Sequence, residues 1–148
     1  MKNMKASSAK GFGEPKKVLV FGTFDGLHEG HKDFLRQAKE QGDNLVVVVG
    51  RDSTVERVKK KLPKFNENQR LEAIQETKYV DFARLGNEGV PVYQIIKEIM
   101  PDVICLGYDQ THFTEKLEEE IKAMGLDIKI IRLKAFEPEK YKSSLLNK

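Results

Sequence analysis

The sequence predicts an α/β domain, a three-layer sandwich with helices on both faces of a five-stranded parallel sheet of order 3-2-1-4-5. Two observations carry that prediction. Short runs rich in Val and Ile alternate with stretches of helical period along the 148 residues, and such alternation implies parallel pairing through right-handed crossovers. The strand runs are also nearly unbroken in their hydrophobicity, as expected where both faces of a sheet are covered.

Each element has its own signal. Residues 1–16 carry no periodic pattern and read as a disordered basic leader, leaving a domain over 17–148. Lys17–Gly22 (KVLVFG) is a β-branched run ending in Gly, hence a buried strand. Leu27, His31, Phe34, Leu35 and Ala38 recur at helical spacing, and Gly42 stands where a helix C′ glycine belongs. Residues 44–50 (NLVVVVG) form the second strand, and 52–61 a short helix leading into a basic loop. Asn66 with Gln69 three residues on makes a capping box that opens a helix to about Thr77. Residues 81–85 are the third strand. Pro91 suits the first turn of a helix that runs to Met100 and stops at Pro101. Residues 102–107 (DVICLG) are the fourth strand, Thr114 caps a helix ending at Gly125, and 127–133 (DIKIIRL) are the fifth.

Composition excludes several classes. No apolar run is long enough to span a bilayer. The polar N-terminus lacks the apolar stretch of a signal peptide, so the expected location is cytoplasmic. Cys105 is the only cysteine, which rules out an intrachain disulfide and a Cys-rich metal site. The formal net charge of +3 does not indicate nucleic acid, because residues 1–17 hold five Lys and one Glu. The remainder then has 21 basic and 22 acidic side chains, so the domain itself is not basic.

In this sheet order strands 1 and 4 are neighbours at the topological switch point, where open α/β sheets bind ligands beyond the carboxyl ends of the strands. The flanking loops span 22–31 and 107–113, the two least generic stretches of the chain. The first reads Gly22-Thr23-Phe24-Asp25-Gly26-Leu27-His28-Glu29-Gly30-His31. Glycines admit close backbone approach, and a helix start offers N–H groups and the positive dipole end to an anion. His28 and His31, three apart, share a helical face and can meet one phosphate. That arrangement suits stabilising charge on a transferring phosphoryl group without a covalent intermediate.

Plainer readings stand beside this one. His31 lies on the apolar stripe and could be an interface residue. Zinc needs three or four ligands, and the chain holds three His and one Cys. The glycines at 22, 26 and 30 do not spell the dinucleotide fingerprint, and no P-loop is present. Arg70 also reads as helix-surface charge, Lys59, Lys60, Lys61 and Lys64 as a solvated face, and His112 as a polar loop residue. Cys105 reads as core.

The turn GTFDGLHEGH resembles the signature of the cytidylyltransferase-like nucleotidyltransferases, the HIGH-containing superfamily with a Rossmann-like fold. The segments GDNLVVVVGRDSTV, NENQRLEAI, YVDFARLG, PDVICLGYDQ and the late KSS are similar in order and spacing to the archaeal FAD synthetases within it. Glycerol-3-phosphate cytidylyltransferases are also similar. The resemblance implies transfer of a nucleoside monophosphate from an NTP to a phosphate-bearing small molecule, with release of pyrophosphate. ATP and FMN, giving FAD, are the implied pair. CTP with glycerol 3-phosphate or another sugar or polyol phosphate, and a nucleotide-binding protein without turnover, stay open as alternatives.

Carried over by position, His28, His31, Lys64 (or another Lys of 59–64) and Arg70 would be catalytic. Gly22, Thr23, Phe24, Asp25 and Gly30 would shape the triphosphate and nucleoside pocket, with Asp25 orienting the acceptor or a metal-bound water. Gly107, Tyr108, Asp109 and Gln110 would line the nucleobase, and Lys142, Ser143 and Ser144 would hold the β- and γ-phosphates. The resemblance further implies Mg2+ carried by the nucleotide and a homodimer, with no protein metal site, nucleic acid or membrane partner.

Overall fold

Successive side chains of a strand point to opposite faces of a sheet, so an unbroken apolar strand feeds two cores at once. The computed structural model describes residues 15–88, 92–107, 110 and 116–135. Its strands are β1 (Lys17–Gly22), β2 (Asn44–Val49), β3 (Phe82–Leu85), β4 (Val103–Leu106) and β5 (Lys129–Arg132). They form one sheet of order β3-β2-β1-β4-β5, parallel at every pairing. The helices are α1 (Glu29–Lys39), α2 (Asp52–Lys59), α3 (Glu67–Gln75), α4 (Val92–Ile99) and α5 (Leu117–Ala123).

One face of the sheet presents Val18, Val20, Leu45 and Val47 to Leu35 and Ala38 of α1 and Ile74 of α3. The other presents Leu19, Phe21, Val46 and Ile104 to Ile95 and Ile96 of α4 and to Leu117 and Ile121 of α5. These are the three layers expected from the sequence. Cys105 is fully buried in the first core, and burial pushes its thiol up to about 12, so it is an inert core residue.

The starts of the strands are fastened by a repeated device. Asp43, Asp81 and Asp102 stand immediately before β2, β3 and β4. Each carboxylate accepts a backbone N–H at the start of the neighbouring strand, from Lys16 (2.7 Å), Leu45 (2.7 Å) and Lys17 (2.9 Å) respectively. Lys39 Nζ adds a 2.6 Å bond to Asp81. Burial pushes the Asp81 carboxyl up, but Lys39 and the Leu45 N–H outweigh it and hold the group below its usual value.

At the other end the ladders differ in length. β1 stays in register with β2 from Lys17↔Asn44 to Gly22↔Val49, yet pairs with β4 only at Val18↔Val103 and Leu19↔Ile104. Beyond Leu19 the two central strands part, and the crevice of the switch point opens between their carboxyl ends.

Two helix ends bear on the sequence reading. Asn66 and Gln69 form the full capping box. Gly125, at φ +72°, ends α5 in a Schellman motif, with its N–H on Lys122 O and that of Leu126 on Ile121 O. Gly42 differs from expectation. It is not left-handed, and α1 closes on Glu40 in right-handed backbone. Its role is close approach, since a Cβ there would lie 2.6 Å from Val18 Cγ2 and 2.9 Å from the Lys16 carbonyl oxygen.

Gly42→Ala therefore overpacks the turn against β1. We expect a loss of about 1–3 kcal/mol in urea unfolding, and an unchanged midpoint would show that the turn yields freely.

Candidate active site

The turn after β1 is set by a glycine and an aromatic ring. Phe24 has φ +53°, a conformation that bulky residues rarely adopt. It is held there because its ring is buried in the core and lies against Gly22, where a Cβ would come within 2.5 Å of it. The Phe24 ring meets His31 edge-on at 5.4 Å and Phe34 at 6.3 Å. The Phe24 ring thus packs against His31 and Phe34 from the core side of the turn.

His28 is the N-cap of α1. Its Nδ1 accepts the N–H of Gly30 (3.0 Å) and, more loosely, of His31 (3.4 Å). An acceptor Nδ1 places the proton of a neutral ring on Nε2, as a donor on the exposed side. Two of the N–H groups that the sequence offers to an anion are therefore taken by the imidazole itself. The rings of His28 and His31 stack at 3.8 Å with 22° between their planes. His31 Nδ1 is buried and has no hydrogen-bond partner. Burial, then the neighbouring His28, lower the His31 pKa to about 4, against the pull of the Gly26 backbone, and Lys59 lowers it further. The two rings thus form a stacked couple, and His31 Nδ1 is a buried polar atom of that couple that no protein group satisfies.

The loops around the pair are tied by two charged groups. Arg70 of α3 is buried, with 1% of its surface exposed. Its Nη1 donates to Thr23 O (2.9 Å) and Gly50 O (2.8 Å), Nε to Phe65 O (2.9 Å) and Nη2 to Asp52 Oδ1 (2.6 Å). The surface-charge reading of Arg70 is thereby excluded. Its guanidinium braces the crevice floor through carbonyls and one carboxylate. Asp25 accepts the N–H of Lys64 on Oδ2 (2.7 Å) and of Phe65 on Oδ1 (2.9 Å), which joins the His turn to the connection between α2 and α3. Burial pushes the Asp25 carboxyl up, but those two N–H groups with the charges of Arg70 and Lys59 hold it below its usual value.

Across the crevice Gln110 accepts the Gly107 N–H on Oε1 (3.1 Å) and donates from Nε2 to Phe21 O (3.3 Å), so it spans the gap between β1 and β4. Arg132 at the end of β5 donates from Nη1 to Gly107 O (2.6 Å) and Gln110 O (2.9 Å).

The structure brings together His28, His31, Gly22, Thr23, Phe24, Asp25, Gly30 and Arg70, with Gly107 and Gln110 opposite. Lys64 joins by its backbone, and its side chain is exposed. Among the four lysines left open, Lys59 is singled out because its charge acts on both Asp25 and His31. Tyr108, Asp109, His112, Lys142, Ser143 and Ser144 lie outside the described residues. Sequence reasoning missed Arg132, Asp52 and Phe65, whose partners are remote in the chain. Among the described residues no three His, Cys, Asp or Glu side chains converge as a metal-ligand set.

The sequence profile of the cytidylyltransferase-like proteins matches residues 19–148, which includes all of this site. The chain belongs to the cytidylyltransferase-like family. Its relatives in that family include proteins named FAD synthase. That of Aciduliprofundum boonei is 46% identical over 81% of this chain and 79% of its own length, and that of Thermoplasma volcanium 44% identical over 89% and 92%. A crystal structure from Thermoplasma volcanium, described as a lipopolysaccharide core biosynthesis protein, superposes with a TM-score of 0.78 at 44% identity, covering 84% of this chain and all (100%) of the other. Pantothenate synthetase from Thermus thermophilus shares the fold alone, at TM-score 0.55 and 15% identity over 80% of this chain and 55% of its own. Among the described residues of this family member, no helix is long and apolar enough to cross a membrane.

Two outcomes follow for the site. With a folded value near 4 against an ordinary 6.5, His31 contributes stability in full above about pH 6.5 and loses it as pH falls towards 4. In that window the unfolded chain takes up a proton that the fold refuses. His31→Gln should flatten the corresponding slope in unfolding titrations, and an unchanged slope would place the proton elsewhere. Arg70→Met leaves three carbonyls and Asp52 unpaired, and should cost about 3–5 kcal/mol. A loss below about 1 kcal/mol would show that the brace is dispensable.

Proposed function

We propose that the protein transfers AMP from ATP to FMN, giving FAD and pyrophosphate. The observation that carries this is the stacked His28–His31 pair at the mouth of the β1/β4 gap, with His31 Nδ1 buried and unpartnered. The nucleotide and acceptor follow from the FAD synthase relatives, which match most of the chain.

In this reading an oxygen of the FMN phosphate attacks the α-phosphorus of ATP in line. A new P–O bond forms, the bond to the bridging oxygen between the α- and β-phosphates breaks, and pyrophosphate leaves with that oxygen. His28 Nε2–H and the His31 ring stabilise the charge that builds on the α-phosphate oxygens, and Lys59 or Lys64 meets the triphosphate. Arg70 acts as a positioning residue, holding Thr23 and Gly50 so that the backbone on either side of β1 faces the phosphates. Gly107 and Gln110, with Tyr108 and Asp109, receive the base. Lys142, Ser143 and Ser144 are proposed for the β- and γ-phosphates on sequence similarity. Mg2+ enters as part of the nucleotide substrate, consistent with both Asp25 oxygens being occupied by backbone N–H groups. We further propose a cytoplasmic location and a homodimer, the latter tested by light scattering on the purified chain.

The test of function is pyrophosphate release with each NTP, Mg2+ and each acceptor. Release with ATP that depends on FMN supports the reading. Release only with CTP and a polyol phosphate, or binding without release, overturns it. Replacement of the histidines then separates chemistry from capping. His31→Ala removes the ring whose Nδ1 has no protein partner, and with melting curves to check the fold kcat should fall on the order of 10²–10³. His28→Asn keeps an N-cap acceptor but removes the Nε2 donor, and should lose activity as His28→Ala does. Normal turnover in His28→Asn would reduce His28 to a cap.

A further inference from the structure

Four large apolar side chains stand exposed among the described residues: Leu62, Phe65, Phe82 and Met100. Phe82 opens β3 and Met100 precedes β4, so both belong to the end of the sheet away from the crevice. Leu62 and Phe65 belong to the connection between α2 and α3, which Asp25 ties to the His turn.

Phe65 is unusual in how firmly its backbone is held. Its N–H is bound by Asp25 and its C=O by Arg70, each at 2.9 Å, and the next residue is the N-cap of the capping box. A backbone fixed at both polar groups could have turned its ring into the core, yet the residue remains 39% exposed. The ring lies over Gly26, where a Cβ would be 3.3 Å from Phe65 Cε2, and Gly26 is in the left-handed conformation (φ +82°). The backbone of Gly26 also interacts with the His31 ring. Phe65 and His31 therefore flank the same residue.

We propose that Phe65 is the stacking platform for the planar ring of the acceptor, and so a specificity-determining residue of the reaction proposed above, on which this inference rests. A rigid, half-exposed aromatic is preorganised for a flat heterocycle, because no loop must be ordered when the ligand arrives. FMN supplies such a ring together with a phosphate, and exposed Lys59 and Lys64 precede Phe65 in the same connection. Topology separates this platform from the base of ATP. The connection carrying Phe65 follows β2 and the loop with Gly107 and Gln110 follows β4, on opposite sides of β1. A polyol phosphate has no flat face to stack.

The experiment uses the full chain and the variants Phe65→Leu, Phe65→Tyr and Phe65→Ala, with melting curves to check folding. Pyrophosphate release gives KM for FMN and for ATP separately, and equilibrium dialysis of FMN without ATP gives its Kd. Phe65→Leu, which keeps apolar bulk, should raise KM and Kd for FMN about tenfold or more and leave KM for ATP within about twofold. Phe65→Tyr keeps the ring and should retain wild-type KM and Kd. If Phe65→Ala fails to fold, the Leu and Tyr pair decides. Wild-type turnover with FMN whose KM is indifferent to Phe65→Leu overturns this inference alone, as does a rise confined to ATP. A wild-type chain that neither binds FMN nor consumes it overturns the function proposed above and this platform with it.

Discussion

Carbonyl groups at the carboxyl edge of a parallel sheet run out of ladder partners, and a buried one left unpaired costs about 1–3 kcal/mol. In this chain a single guanidinium answers that need. Arg70 satisfies carbonyls of Thr23, Gly50 and Phe65, which belong to the turn after β1, the end of β2 and the approach to α3. Asp52 at the start of α2 offsets its charge. A planar fork of five donors can serve several acceptors from one buried point, and a lysine ammonium cannot reproduce that geometry. The brace joins the β1 turn, α2 and α3, and the histidine pair follows directly on the braced turn.

Above the brace the distribution of charge is lopsided. The acid closest to the turn, Asp25, is committed to two backbone N–H groups, and the stacked imidazoles cannot both gain a proton without repelling one another. The buried Nδ1 of His31 is left for a group from outside the protein.

What could be read from the sequence is what is local. The capping box at Asn66 and Gln69, the strand runs, and the i, i+3 pairing of the histidines each depend on a few neighbouring residues, and the structure shows each of them. The strand order was legible too, because the two distinctive loops belong at a single switch point. Arg70 was ambiguous because its partners Thr23, Gly50 and Asp52 lie 47, 20 and 18 residues away, which no periodicity reports. Gly42 was assigned a helix-ending role for the same reason, its constraint being the β1 backbone across the turn. The burial of the Phe24 ring on left-handed backbone was not legible, because nothing in its sequence neighbourhood announces it. Among the lysines only the folded arrangement could favour Lys59.

The aspartates that precede β2, β3 and β4 divide the molecule into two parts with different freedoms. They fix where each ladder begins from residues adjacent to the strands themselves, with no help from the loops at the opposite edge. Register is therefore inherited independently of ligand chemistry. A lineage carrying this scaffold can rewrite the loops that choose a base or an acceptor, one at a time, while the sheet stays aligned. Evolvability of substrate choice is in that sense a property of three carboxylates far from any substrate.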